Sequence, residues 1–287
     1  MKDALLRVAV RALRRGAPHA PLAMRKRAAI LVHRLPGRSK DTVIPVLLHD
    51  WAIADPAEYH RFIWSNHLLY AKYYDFRQIE YSRGDYFTKL HPLRVEILEA
   101  AAVSFRDRGE SSDTDVKSIL DVGCSLGYLL RYAETTVFPD AHRLLGIDID
   151  SFAIAEGTAY LRGLGSAVEL RVADIDGLDS VAGAEPFDLV TCTGVLQYLD
   201  EATATDAVAK MLRHSTKLVV LSGLASEAVD NALLEQSEVR PYDRSSVHNF
   251  DRMVAESGGR VVTRRWAGRE VVEGRQGAYF VVATPGP

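Results

Sequence analysis

The sequence predicts an α/β fold: a doubly wound, seven-stranded, mostly parallel sheet with a C-terminal antiparallel hairpin, preceded by a helical N-terminal cap. Three observations carry that expectation. From Ser118 onward, short apolar runs alternate with helix-length segments, the rhythm of parallel βαβ units. One such run, Ile119-Leu-Asp-Val-Gly-Cys-Ser-Leu-Gly127, passes from strand to helix through a glycine turn, a geometry that brings a ligand close to backbone amides. Acids stand where the strands stop: Asp121 and Asp148 close the first two, and Asp174 follows the third.

Residues 1 to about 45 form a basic, Ala/Leu-rich arm. Leu5, Leu6, Val8, Ala9 and Leu13 suit an amphipathic helix broken near Gly16-Ala17-Pro18, and a second helix runs from Leu22 to about Leu35. Residues 46–110 form an aromatic-rich cap and lead-in helix. Glu58 to Asp75 reads as helical, Ser82-Arg83-Gly84-Asp85 as a turn, and His91-Pro92 opens a helix reaching about Arg108. Residues 111–287 hold the sheet. Ser118–Val122 is the first strand and Tyr128–Val137 its helix. Arg143–Ile147 follows, with Ser151 capping a helix to Arg162. Ala167–Val172, Phe187–Cys192 and Lys217–Leu221 are strands three to five, with a helix over Glu201–Arg213. Ser245–Ser257 reads as a helix, and Arg260–Trp266 with Gly277–Ala283 as the closing hairpin.

Composition narrows the class. The chain has 287 residues, 47% of them hydrophobic, enough for one large α/β domain with a cap. Its two cysteines, Cys124 and Cys192, fall at apolar strand ends, which argues against a disulfide framework and suits a reducing cytoplasm. No apolar run approaches the roughly 20 residues of a membrane span, and no secretory signal is expected. The charge is uneven. Before Asp41 stand eleven lysines and arginines and one acid, Asp3. That arm suits a membrane or nucleic-acid surface, or a basic face packed on the acidic body or on a second subunit as a homodimer.

The spacing Asp121-x-Gly123-x-x-x-Gly127 fits a dinucleotide site poorly, because Gly123, Ser125 and Gly127 do not make Gly-x-Gly-x-x-Gly, and no lysine follows as in a P-loop. It resembles the first motif of class I S-adenosylmethionine (SAM) methyltransferases. Asp148 can accept both ribose hydroxyls of a nucleoside, a feature SAM and NAD sites share. Asp174-Ile175 resembles the pair that reads adenine, carboxylate to exocyclic amine and apolar side chain against the ring. Phe187-Asp-Leu-Val-Thr-Cys-Thr-Gly-Val-Leu-Gln-Tyr-Leu199 resembles the same superfamily's fourth-strand motif. The resemblance covers roughly Ile119 to Ala283. It implies SAM as cofactor, S-adenosylhomocysteine (SAH) as product, and contacts from Asp121, Gly123, Cys124, Ser125, Gly127, Asp148, Ile149, Asp174, Ile175 and Thr193. One departure is Ser125, where many members carry a third glycine. Another is the missing Asn/Asp-Pro-Pro-Tyr of enzymes that methylate nucleic-acid amines.

Methyl transfer needs mainly alignment for in-line attack, and an alcohol acceptor gains from a base. The candidate catalytic residues are His248, Tyr198 and His91, with His67 a further candidate base. His248 stands near a helix start, where the helix dipole disfavours imidazolium and keeps the ring fit to accept a proton. Tyr81, Tyr86, Phe87 and Gln197 are the candidate acceptor contacts. No metal-ligand spacing is recognisable. The expected activity is methylation of a hydroxyl on a small organic molecule such as a natural product or sugar. The alternatives are a tRNA or nucleic-acid methyltransferase using the arm, a membrane-peripheral enzyme acting on a glycolipid, and a SAM-binding scaffold or rearrangement catalyst.

Overall fold

The computed structural model describes residues 16–34, 40–66, 68, 92–241, 244–272 and 275–286. The chain divides into two compact units, Met1–Arg83 and Gly84–Pro287.

In the N-terminal unit three α-helices are described: α1 (Leu22–His33), α2 (Lys40–Ala54) and α3 (Pro56–Ser65). Pro21 precedes α1, and Pro56 opens α3, where a missing N–H costs nothing. Asp55 caps α3 by accepting from the Glu58 amide at 3.1 Å. Ala29, Leu48, Trp51 and Ile63 form the core of this unit. Arg25 ties α1 to α2 by pairing with Asp50 at 3.0 Å and donating to the Leu47 carbonyl. Lys26 lies 3.7 Å over the Trp51 ring. Of the expected helix over 58–75, residues through Ser65 are helical. Residues 67 and 69–91 lie outside the described residues.

The first described element of the second unit is α4 (Pro92–Asp107), and then strand and helix alternate as expected. The strands are β1 (Ser118–Val122), β2 (Arg143–Asp148), β3 (Val168–Val172), β4 (Phe187–Thr193), β5 (Ser215–Leu224), β8 (Arg260–Val272) and β9 (Arg275–Thr284). They form one seven-stranded sheet in the order β3-β2-β1-β4-β5-β9-β8. β1 pairs in parallel with β2 on one side and β4 on the other, and β9 runs antiparallel to β5 and β8. Leu120, Val190, Val219 and Val281, one from each of four adjacent strands, are fully buried, which is why these strands read as continuous apolar runs. The strand order reverses between β1 and β4. Ligands of open α/β sheets bind beyond the carboxyl ends of the strands at such a point.

The helices are α5 (Tyr128–Tyr132), α6 (Ser151–Gly163), α7 (Leu178–Ala182), α8 (Glu201–Arg213) and α9 (Phe250–Glu256). Three expectations are corrected. The helix after β1 is α-helical only to Tyr132, and Ala133–Val137 continues as a π-turn. Asp150, not Ser151, caps α6, its carboxylate accepting from the Phe152 and Ala153 amides at 3.0 Å each. The expected helix at Ser245 begins only at Phe250, because Ser246–Val247 pairs as β7 with β6 (Glu238–Val239) and Asn249 is the N-cap.

Candidate active site

The turn after β1 is built from three left-handed residues in alternation: Gly123 at φ 79°, Ser125 at φ 52° and Gly127 at φ 78°. The amides of Gly123 and Cys124 both donate to the Ile147 carbonyl, at 2.8 and 3.0 Å, and so bind the turn to the end of β2. A side chain at Gly123 would collide with Val195, which folds over from the end of β4. On the other flank α6 approaches so closely that a Cβ at Gly157 would sit 2.6 Å from the Leu126 carbonyl oxygen. Close approach by β4 and α6 is what requires glycine at 123 and 157.

Two carboxylates frame this turn. Asp121 is 2% exposed, and its Oδ1 accepts from the Thr191 hydroxyl at 2.7 Å. Its Oδ2 takes no protein donor among the described residues. Burial pushes the Asp121 carboxyl from its ordinary 3.8 up to about 6, with the Thr191 hydrogen bond and the Arg94 charge acting against it. Asp148, at the end of β2, accepts from the Ser125 amide at 2.8 Å through Oδ2 and from the Asp150 amide at 2.9 Å through Oδ1. Each oxygen keeps a lone pair for a further donor. Burial raises the Asp148 carboxyl as well, the two amide bonds opposing it. The Ala173 amide donates to the Asp148 carbonyl at 3.0 Å, which sets Asp174 and buried Ile175 beside that strand end.

Beyond β4, Thr193 is buried, the Gly194 amide donates to the Ser222 carbonyl at 3.0 Å, and Leu196–Tyr198 forms a single 3-10 turn. His248 stands two residues ahead of α9 and is 1% exposed. Its Nε2 lies 2.8 Å from the Leu196 carbonyl and its Nδ1 2.7 Å from the Ser237 hydroxyl. A carbonyl only accepts, so Nε2 carries the proton and Nδ1 accepts from Ser237. Burial lowers the His248 pKa, with the Leu196 carbonyl and the Glu201 charge opposing. Glu201 in turn accepts the Ser237 amide at 2.5 Å and pairs with Arg252. Both cysteines are free and buried, and desolvation pushes both thiols up, which leaves neither a nucleophile.

A family model described as a methyltransferase domain matches residues 119–217. Over that segment, about a third of its length, the chain is similar to a methyltransferase domain. Solved structures share its fold. A SAM-dependent methyltransferase from Clostridium acetobutylicum is 13% identical, with a TM-score of 0.52 over 75% of this chain and 99% of that one. Magnesium protoporphyrin IX methyltransferase from Synechocystis, solved with bound SAM, is also 13% identical, with a TM-score of 0.50 over 80% of this chain and 96% of that one. No curated protein sequence matches the chain.

The seven-stranded sheet brings Asp121, Gly123, Cys124, Ser125, Gly127, Asp148, Ile149, Asp174, Ile175 and Thr193 to the carboxyl ends of β1 to β4. Its donor set suits SAM: a buried carboxylate with one open oxygen for an ammonium, a second with spare lone pairs for ribose hydroxyls, and a glycine turn between them. Gln197 and Tyr198 lie in the turn after β4, both partly exposed. His67, Tyr81, Tyr86, Phe87 and His91 lie outside the described residues. Sequence reasoning missed Arg94 of α4, whose charge reaches Asp121, Cys124 and Asp148. The signal was there: an arginine in the first turn of a helix that leads to the glycine motif. It also missed Ser237 and Glu201, which no local pattern marks. Among the described residues no group of three His, Cys, Asp or Glu could hold a metal ion, and no helix is long and apolar enough to cross a membrane.

Proposed function

We propose that the protein methylates a hydroxyl of a small organic molecule, with SAM as methyl donor. The observation that carries the cofactor part is the buried, half-engaged Asp121 facing Asp148 across a left-handed glycine turn. In this reading Asp121 receives the ammonium of the methionine moiety and Arg94 lies near its carboxylate. Asp148 accepts the ribose hydroxyls, Asp174 with Ile175 reads the adenine, and Ile149 covers it. The amides of Cys124 and Ser125 and the Thr193 region line the space between. Bound SAM supplies an activated sulfonium methyl. The chain's own task is to hold an acceptor oxygen in line and keep water away.

The acceptor side rests on the 194–198 segment, with Gln197 and Tyr198 as its polar groups. The absence of an Asn/Asp-Pro-Pro-Tyr segment there favours oxygen over a nucleic-acid amine. His248 enters in one of two ways. As a base it would draw the acceptor proton through the Ser237 hydroxyl, since Nδ1 already accepts from it. As a positioning residue it holds the Leu196 carbonyl and with it the acceptor segment. The hydrogen-bond pattern favours the second role. The test is incubation with SAM and a panel of phenols, sugars, amines and short RNAs. The reading predicts SAH formed in equal amount with a methyl ether. N-methylated product, or SAH formed only with RNA, contradicts the acceptor class.

A further inference from the structure

The basic N-terminal stretch carries none of the residues assigned to the methyl-transfer site above. Within α1, Arg25 is committed to Asp50 and Lys26 to the Trp51 ring. Arg27 and Arg34 are exposed and make no ion pair among the described residues. Ala29 is fully buried and fixes the inward face of the helix. The opposite side, at spacings of three and four residues, reads Met24, Arg27, Leu31, Arg34. Met24 is 62% exposed and Leu31 61%. At 1.5 Å per residue this is a stripe about 15 Å long on which apolar and cationic side chains alternate, with no acid on it.

We propose that this stripe docks the protein on an anionic membrane surface. Lipid phosphates meet the guanidinium groups of Arg27 and Arg34, while Met24 and Leu31 enter the boundary between headgroups and acyl chains. A nucleic acid would use the two arginines and leave Met24 and Leu31 in water. A second copy placed face to face would gather four arginines in one contact without an acid to offset them. The eleven basic residues before Asp41 add the same sign of charge to this region of the sequence.

The test is co-sedimentation of the full chain with phosphatidylcholine vesicles and with phosphatidylcholine–phosphatidylglycerol vesicles. The proposal expects binding to the mixed vesicles and not to the neutral ones. It expects Arg27→Glu/Arg34→Glu and Met24→Ser/Leu31→Ser each to weaken that binding on the order of tenfold. Far-UV circular dichroism and thermal unfolding of both variants should match those of the wild type, which certifies the fold, and unchanged SAH affinity separates this question from the catalytic reading. Mixed-vesicle binding that survives Met24→Ser/Leu31→Ser overturns the proposal in favour of a purely phosphate contact, such as a nucleic acid. Binding unchanged in Arg27→Glu/Arg34→Glu, or no binding of the wild type to mixed vesicles, overturns it outright.

Discussion

Asp121 is held where a carboxylate is expensive. Raising its pKa from 3.8 to about 6 corresponds to about 3 kcal/mol against the ionised form, at about 1.4 kcal/mol per unit. An incoming ammonium would offset that cost, which makes cofactor affinity depend on pH. Below about 6 the carboxyl takes up a proton and can no longer pair with the ammonium. SAH affinity, measured by calorimetry, should therefore fall by roughly tenfold between pH 7.5 and pH 5. In Asp121→Asn the affinity should be weak and nearly flat across that range, apart from what Asp148 contributes. An equal slope in wild type and variant would remove Asp121 from the cofactor contact. Ser125 shows the limit of reading residues one at a time. Serine in place of glycine reads as a mild change, yet its φ of 52° carries a strain of about 1 kcal/mol or more. The Ser125 amide bond to Asp148 compensates, and nothing in the local sequence announces that bond.

At the scale of elements, His248 joins three segments: the turn after β4, the stretch ahead of β6, and the entry to α9. Replacing it by alanine removes its bonds to the Ser237 hydroxyl and to the Leu196 carbonyl, which still accepts from the Leu199 amide at 3.0 Å, at about 0.5–1.5 kcal/mol for each bond lost. His248→Asn tests its titration. Because burial depresses the His248 pKa below 6.5, the unfolded chain binds a proton there that the folded chain refuses. The native state thus loses stability as pH falls below 6.5, and above 6.5 this contribution is absent. Denaturant unfolding at pH 7.5 and pH 5.5 should show a smaller loss on acidification in His248→Asn than in the wild type. Equal losses would mean the ring is not buried neutral. The element boundaries that sequence misplaced have physical causes of this kind. The β6–β7 ribbon takes Ser246 and Val247 out of the expected helix, and Asp150 outcompetes Ser151 as a cap because its carboxylate reaches two amides at once.

For the whole molecule, the alternation of strand and helix that makes the parallel sheet was legible because each β-strand is a short apolar run and each crossover is long enough for a helix. The glycine turn and the acids at successive strand ends were legible because they are local in sequence. Arg94, Ser237 and Glu201 were not, because their roles come from packing across many residues. In the proposed reading SAM lies across the β1–β4 switch with its ribose on Asp148. The most direct test is calorimetric titration of SAH into the wild type and Asp148→Ala. The account predicts binding by the wild type and a loss on the order of tenfold or more in the variant, the size expected when charge-assisted hydrogen bonds go. Equal affinity in the two, or no binding by well-folded wild type, would contradict it.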